Sequence, residues 1–554
     1  MSQDVSPLET ARLSYAPRVP PLLADGAGHV AFREGPATGA AGHADEIRAR
    51  FPRTYGRGIL ELGPGVAEGR GPVHVGVALC GGQAPGGHNV IAGLHDGLLA
   101  ARPGSRLTGF LGGPRGILSG RYRELTAQDL APYRNTGGFD LIGSGRHKIE
   151  TASDFAACRG SCERLGLNGL VIVGGDDSNT NAALLAEFFV SQGVGVTVVG
   201  VPKTIDGDIK GRGIEVSFGF DTATKIYSEL VGNVCRDAKS AAKYWHFIKL
   251  MGRSASHVTL ECALATQVNV ALIGEEVRER GLTLDQVVGQ VADVVRRRAA
   301  AGKSYGVCLV PEGLVEFIPE LGRLIDALNR VLAEHASDPS VLSGAAERGS
   351  FVGGKLAAGD RRVFAALPGG IRSQLLEDRD AHGNVQVSRI DTEQLLILKV
   401  AEQIEGWRQA GEFRGTFSAQ GHFFGYEGRS APPSNFDADY SYSLGRLAAI
   451  LVASSKTGYL CAVGNLARPA RFWTAAGIPL TSLMHMETRK GLSAPVIAKA
   501  LVRLDGAPFR AFAERRDDWA IGDRYRYPGP IQYCGPSTVS RGVNETLRLE
   551  REKI

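Results

Sequence analysis

The stretch GLVIVGGDDSNTNAA, residues 169–183, decides how the chain is read. Its first six residues are apolar on both faces and β-branched at Val171, Ile172 and Val173, as expected of a strand buried in the middle of a sheet. Gly174 and Gly175 end the run, Asp176 and Asp177 follow, and Ser178 opens a helix-compatible segment. The same pattern lies to either side, in VHVGVAL (73–79), RLTGF (106–110), FDLIG (139–143) and GVTVVGV (195–201). It returns later in HFIKLMG (246–252), VNVALIG (268–274), YGVCLVPEG (305–313) and YLCAVGN (459–465). Strands buried on both faces and alternating with helices predict an α/β chain with parallel-rich sheets and helices on either side. Ligands of such sheets bind in the loops at the carboxyl ends of the strands. Between the later strands, 315–410 reads as a helical insertion. Leu321, Leu324, Ile325, Leu328, Val331 and Leu332 share one helical face there. Residues 1–70 are rich in Pro, Gly, Ala and Arg without a sustained period, and read as an extension wrapping a surface.

Composition agrees with a large globular chain: of 554 residues, 43% are hydrophobic and 22% charged, enough to bury a full core. The 73 glycines gather after the apolar runs, where a loop must approach a ligand closely. A net charge of +5 with no basic run long enough for nucleic acid argues against that partner. The N-terminus lacks the basic start and apolar stretch of a secretory signal, and the run GVGVTVVGV (193–201) is too short for a membrane span. The eight cysteines sit mostly in apolar segments, and Cys158 and Cys162 have no second pair of ligands nearby in sequence. Buried reduced thiols and a cytoplasmic location are expected.

Three loops carry the chemistry. CGGQAPGGHN (80–89) can turn backbone N–H groups towards an anion at a helix start, although it matches neither common phosphate-loop pattern; a plain tight turn is the alternative. In VGGDDSNTNAA (173–183), adjacent carboxylates are costly unless a cation or basic group neutralises them, and Mg²⁺ held by one carboxylate and substrate phosphates would do so. Asp177 and Ser178 could also simply cap the helix. GVPKTIDGDIKG (200–211) sets Lys203, Thr204, Asp206 and Asp208 within six residues, a compact acid–base and phosphate-contact set. Together the loops point to phosphoryl transfer assisted by Mg²⁺, a chemistry of positioning and charge stabilisation.

GGQAPGGHN, GGDDS, PKTIDGDI, MGRSASH, PEG and GYEGR, in that order from about 80 to 430, resemble the 6-phosphofructokinase family and its long pyrophosphate-dependent branch. The similarity continues through GIPLTSLMHMETRKG and PVIAKAL to about 500. The resemblance implies two Rossmann-like three-layer lobes with the active site between them, and fructose 6-phosphate as acceptor. The expected division is an extension at 1–70, a donor-binding lobe at 71–240, a sugar-phosphate lobe at 241–435, and crossover segments with a tail at 436–554. It also implies roles. Gly81 and Gly82 would contact the donor, Asp176 would bind Mg²⁺, and Asp206 would take the proton from the sugar 1-hydroxyl. Thr204 and Ile205 line the same loop, and Asp208 helps organise the metal site. Lys243, Tyr244, Met251, Gly252, Arg253, Glu312, Tyr426, Glu427, Gly428 and Arg429 would hold the sugar phosphate. Lys243 and Tyr244 lie where a neighbouring subunit contributes, so a homodimer or tetramer with shared sites is expected.

Donor choice is read from Asp177 and Lys203, where ATP-using members resemble GGDG and PGTIDND. A carboxylate at Asp177 would repel a nucleotide's α-phosphate, and Lys203 would sit near the departing phosphate. Gly207 fits the same branch. His485 and Thr488 depart from the family's late segment, Trp245 reads as packing, and His422 as a structural hydrogen-bonding residue. An ATP-dependent member is the nearest alternative. GGDD and PKTIDGD argue against a non-catalytic regulatory paralogue, and MGR, PEG and YEGR against a diacylglycerol- or nicotinamide-nucleotide-kinase-like enzyme.

Overall fold

All six residues in each of His74–Leu79 and Gly169–Gly174 are buried, on both faces, as they must be in a sheet covered on both sides. The computed structural model describes residues 5–24, 29–65, 71–335, 345–377, 385–489 and 492–551. The chain forms two compact units. The first comprises Met1–Ala223, Tyr426–Ala500 and Ile531–Arg548, and the second Thr224–Gly425, Leu501–Pro530 and Leu549–Ile554.

In the first unit, the described residues form a ten-stranded sheet. Tyr459–Gly464, Thr197–Thr204, Gly169–Gly174, His74–Leu79 and Arg106–Phe110 run parallel through its centre. Further strands, each antiparallel to its neighbour, flank them: Tyr122–Leu125 on one side, and Thr474–Pro479, Gly58–Pro64 and Val30–Ala37 in that order on the other; the two-residue strand Phe218–Gly219 pairs with the end of Thr197–Thr204 as the tenth. The N-terminal segment therefore extends the sheet as well as lying on its surface; its Gly- and Pro-containing strands, VAFREGPA and GILELGP, hid that in the sequence. Its first helix, Pro7–Leu13, starts at a capping box made by Ser6 and Glu9.

One expected strand is absent. FDLIG (139–143) is a turn: Gly143 N–H donates to Phe139 O at 2.7 Å, and Gly138 and Gly143 take φ of +78° and +66°. Phe139 and Ile142 are buried, so the apolar run is real, but it packs as a knot of turns while Tyr122–Leu125 takes the place beside Arg106–Phe110. Most of helix Asn435–Ala453 is buried, and it crosses helix Gly87–Ala101 at glycines. A methyl group on Gly93 would lie 2.2 Å from Tyr442 O, and one on Gly445 2.1 Å from Val90 O.

In the second unit the described residues form a four-stranded, all-parallel sheet in the order Val270–Ala271, Gly306–Pro311, Trp245–Leu250, Ala419–Phe424. The expected strand at 268–274 shrinks to two residues, because Gly274 starts a helix and Asn269 turns its side chain to Trp519 O. Between 314 and 409 the described residues are mostly helical, and Leu321, Leu324, Ile325, Leu328 and Leu332 are buried as the spacing predicts. Trp245 packs in this core: a methyl group on Gly306 would meet its ring at 2.6 Å.

Candidate active site

The three loops read from the sequence leave the carboxyl ends of three adjacent parallel strands of the first unit, so the fold gathers them. After His74–Leu79, Gly81 takes φ +80° and its N–H donates to Gly145 O at 2.8 Å. A methyl group on Gly81 would lie 3.2 Å from Lys203 Nζ. One on Gly82 would lie 3.6 Å from Arg146 Nη2 and 3.7 Å from Arg429 Nη1, so two guanidinium groups border this loop. Helix Gly87–Ala101 follows. Its buried His88 is held by Thr136, whose hydroxyl already donates to Tyr133 O at 2.7 Å. His88 Nδ1 therefore donates to Thr136 Oγ1 at 2.8 Å, and burial lowers the imidazole to about 4, so the ring is neutral.

After Gly169–Gly174 the helix Asp176–Ser191 begins, with Asp176 and Asp177 in its first turn, where the helix dipole favours negative charge. Asn179 fastens the turn by donating to Gly174 O at 2.7 Å and Gly175 O at 2.9 Å. Two lysines from other segments face the carboxylates. Lys499 Nζ lies 3.4 Å from Asp176 Oδ2, and Lys148 Nζ 3.3 Å from Asp177 Oδ1. After Thr197–Thr204 the chain turns sharply: Asp206 N–H donates to Thr204 Oγ1 at 3.0 Å and Gly207 takes φ +74°. Ile205 is buried, and Ala500 N–H holds Asp208 O at 2.7 Å.

The electrostatics are those of a charged, partly buried site. Burial lowers the Lys203 ammonium to about 8, against the pull of Cys80, Asp206 and Asp176, and Arg146 pushes the same way as burial. Burial raises the Asp208 carboxyl to about 7, with Asp206 and Asp176 adding repulsion and Lys499 opposing it. Among the described residues no three His, Cys, Asp or Glu side chains are arranged to enclose a metal ion. Carboxylates that still repel one another suit a hard cation that takes one or two protein oxygens and completes its shell with water and substrate phosphate.

The remaining predicted residues lie as follows. Tyr426–Arg429 is a short helix of the first unit, with Glu427 in its first turn, Gly428 buried and the Arg429 guanidinium 4.4 Å from the Tyr426 ring centre. In the second unit, Lys243 Nζ lies 5.1 Å from the Tyr244 ring centre. Met251 N–H donates to Phe424 O at 3.0 Å, and Gly252, at φ +132°, donates to Glu312 Oε2 at 2.8 Å. Arg253 is exposed, and a methyl group on Gly313 would meet its carbonyl oxygen at 1.9 Å, so MGR and PEG meet through glycine. His422 Nε2 is 2.9 Å from His246 Nδ1, and burial lowers both imidazoles. His485 lies over the extension, its ring 6.4 Å from that of His43. Lys490 and Gly491, and the side chain of Thr488, lie outside the described residues.

Sequence reading passed over Arg146, Lys148 and Lys499. The basic run RHK after a Gly-Ser-Gly turn was available as a signal for the first two. Lys499 sits in PVIAKAL, which carried similarity without a role. Seven cysteines are buried and free, with Cys534 exposed. Burial raises the Cys162 thiol to about 12, and no helix among the described residues is long and apolar enough to cross a membrane.

The fold is that of an α/β protein, and comparison with known proteins places the chain among phosphotransferases. Residues 74–350 match the phosphofructokinase family model, and the chain belongs to that family. Within it, the chain is 54% identical to the pyrophosphate–fructose 6-phosphate 1-phosphotransferase of Treponema pallidum (strain Nichols), over 99% of this chain and 97% of that protein. It is 52% identical to the enzyme of that name from Porphyromonas gingivalis, over 99% of both chains. It is 51% identical to the β subunit of the Solanum tuberosum enzyme, over 93% of this chain and 90% of the subunit. The crystal structure of a pyrophosphate-dependent phosphofructokinase from Marinobacter aquaeolei shares the fold, with TM-score 0.52 at 15% identity, over 82% of this chain and 93% of that one.

Proposed function

We propose that the chain transfers a phosphoryl group reversibly from pyrophosphate to the 1-hydroxyl of fructose 6-phosphate, giving fructose 1,6-bisphosphate and phosphate. The observation that carries this reading is the half-identical, near full-length match to enzymes of that name. It is supported by Asp177 in the first turn of the helix that follows one central strand, and Lys203 near the carboxyl end of the adjacent strand.

In this reading Asp206 takes the proton from the 1-hydroxyl, and its loop conformation is held by Thr204. Lys203, forced into burial, bears the charge that develops on the departing phosphate. Gly81 and Gly82 let the donor approach the backbone, and Asp177 opposes a nucleotide's α-phosphate. Asp176, with Asp208 beside it, would hold Mg²⁺, which when bound neutralises phosphoryl charge. Ile205, Lys243, Tyr244, Met251, Gly252, Arg253, Glu312 and Tyr426 to Arg429 hold the sugar phosphate. Lys243 and Tyr244 serve a neighbouring subunit in a cytoplasmic homodimer or tetramer.

Initial rates with fructose 6-phosphate, offering pyrophosphate and ATP separately with Mg²⁺ or with EDTA, test this. Turnover on pyrophosphate that is lost with EDTA and in Asp206→Ala is expected; turnover on ATP alone overturns the donor assignment.

A further inference from the structure

Asp177 is not a lone carboxylate. Lys148 Nζ lies 3.3 Å from its Oδ1 and 3.9 Å from Glu150 Oε1. The Lys148 side chain is only 16% exposed, whereas that of Asp177 is 44% exposed, so the lysine is the more tightly held partner. Its segment is fixed at both ends. Gly145 O accepts from Gly81 N–H at 2.8 Å, and Ile149, next to Lys148, is buried in the core. Lys148 therefore stands at the donor loops because the backbone puts it there.

Pyrophosphate is itself strongly anionic. An uncompensated Asp177 in a partly buried site would oppose it as well as a nucleotide, because Coulomb repulsion there is weakly screened. Pairing with Lys148 cancels most of that charge for a donor that ends short of Asp177. A longer donor must displace the carboxylate from the ammonium, which leaves both unpaired. We propose that Lys148 is a donor-selecting positioning residue that acts through Asp177: the ion pair makes the exclusion of nucleotides compatible with tight use of pyrophosphate. This rests on the function proposed above.

A double-mutant cycle tests it, using kcat and KM for pyrophosphate, ATP and fructose 6-phosphate in wild type, Lys148→Met, Asp177→Gly and the double variant. Lys148→Met should raise the KM for pyrophosphate roughly tenfold, while the KM for fructose 6-phosphate stays within about twofold. Lys148→Arg should restore most of the loss. In the Asp177→Gly background, Lys148→Met should cost pyrophosphate use little, because the charge it compensates is gone, and should lower any ATP use gained. An unchanged KM for pyrophosphate in Lys148→Met, or the same penalty in both backgrounds, overturns the proposal. A general loss affecting both substrates, not rescued by arginine, overturns it too. A wild type without pyrophosphate turnover overturns the function reading and this one together, whereas pyrophosphate turnover with an additive cycle overturns this one alone.

Discussion

Gly81 occupies a position that disfavours a side chain for two reasons: its φ of +80° and the Lys203 ammonium 3.2 Å from where a Cβ would go, which would have to shift. Gly81→Ala should therefore lower kcat/KM for pyrophosphate by roughly 100-fold, the size seen when a charge-stabilising donor is displaced, with the fold intact by circular dichroism. Lys203 itself sets a pH limit. Burial lowers its pKa to about 8, so in the free enzyme the ammonium loses its proton as pH rises through that value. The profile of kcat/KM for pyrophosphate should fall on its alkaline side there. Lys203→Arg, slower but always charged, should remove that limb; a limb unmoved in the variant would assign it to another group. At this scale the sequence was legible wherever chemistry is consecutive, as in GGDDS and PKTIDGDI. Lys148 and Lys499 were not legible, because an ion pair between residues 29 or more than 300 positions apart leaves no trace in local pattern.

Among the elements, the crossing of helices Gly87–Ala101 and Asn435–Ala453 depends on Gly93 and Gly445, each placed against the other helix's backbone. Gly445→Val must push the helices apart and should destabilise the first unit by about 3 kcal/mol, read as a lower urea midpoint. The same helix carries a pH-sensitive contact. Asp437 accepts from Gly219 N–H at 2.9 Å and Thr222 N–H at 2.8 Å; burial, then repulsion from Asp221, raises its carboxyl from 3.8 to about 7. The native state then holds a proton that the unfolded chain has released, so the contribution of Asp437 to stability is greatest at low pH and falls as pH rises from 3.8 to about 7. Asp221→Asn should flatten that slope in urea midpoints measured across the range; an unchanged slope would rule Asp221 out as its cause. Most strands were legible here as runs buried on both faces. FDLIG shows the limit, since burial of Phe139 and Ile142 produces the same apolar run whether the backbone pairs in a sheet or turns on itself.

For the molecule as a whole, distant segments are tied together within each unit. Arg12 is buried, donating to Asn435 Oδ1 at 2.7 Å and Pro433 O at 2.8 Å, with the Tyr533 ring 4.0 Å from its guanidinium carbon. Arg12→Ala would strand those acceptors and should cost the first unit about 2–4 kcal/mol, checked by denaturant titration with a probe in that unit. Turnover should survive in the fraction that remains folded. By itself the sequence determined the α/β class, the three loops that follow the central strands and the family, because each is written in contiguous residues whose spacing meets a local physical demand. Only the tertiary structure decided that the N-terminal segment extends the sheet, that Arg146 and Arg429 both border Gly82, and that Lys148 and Lys499 face the paired carboxylates. Those facts are contacts between segments far apart in the chain, fixed by which surfaces pack and which charges must be neutralised once they do.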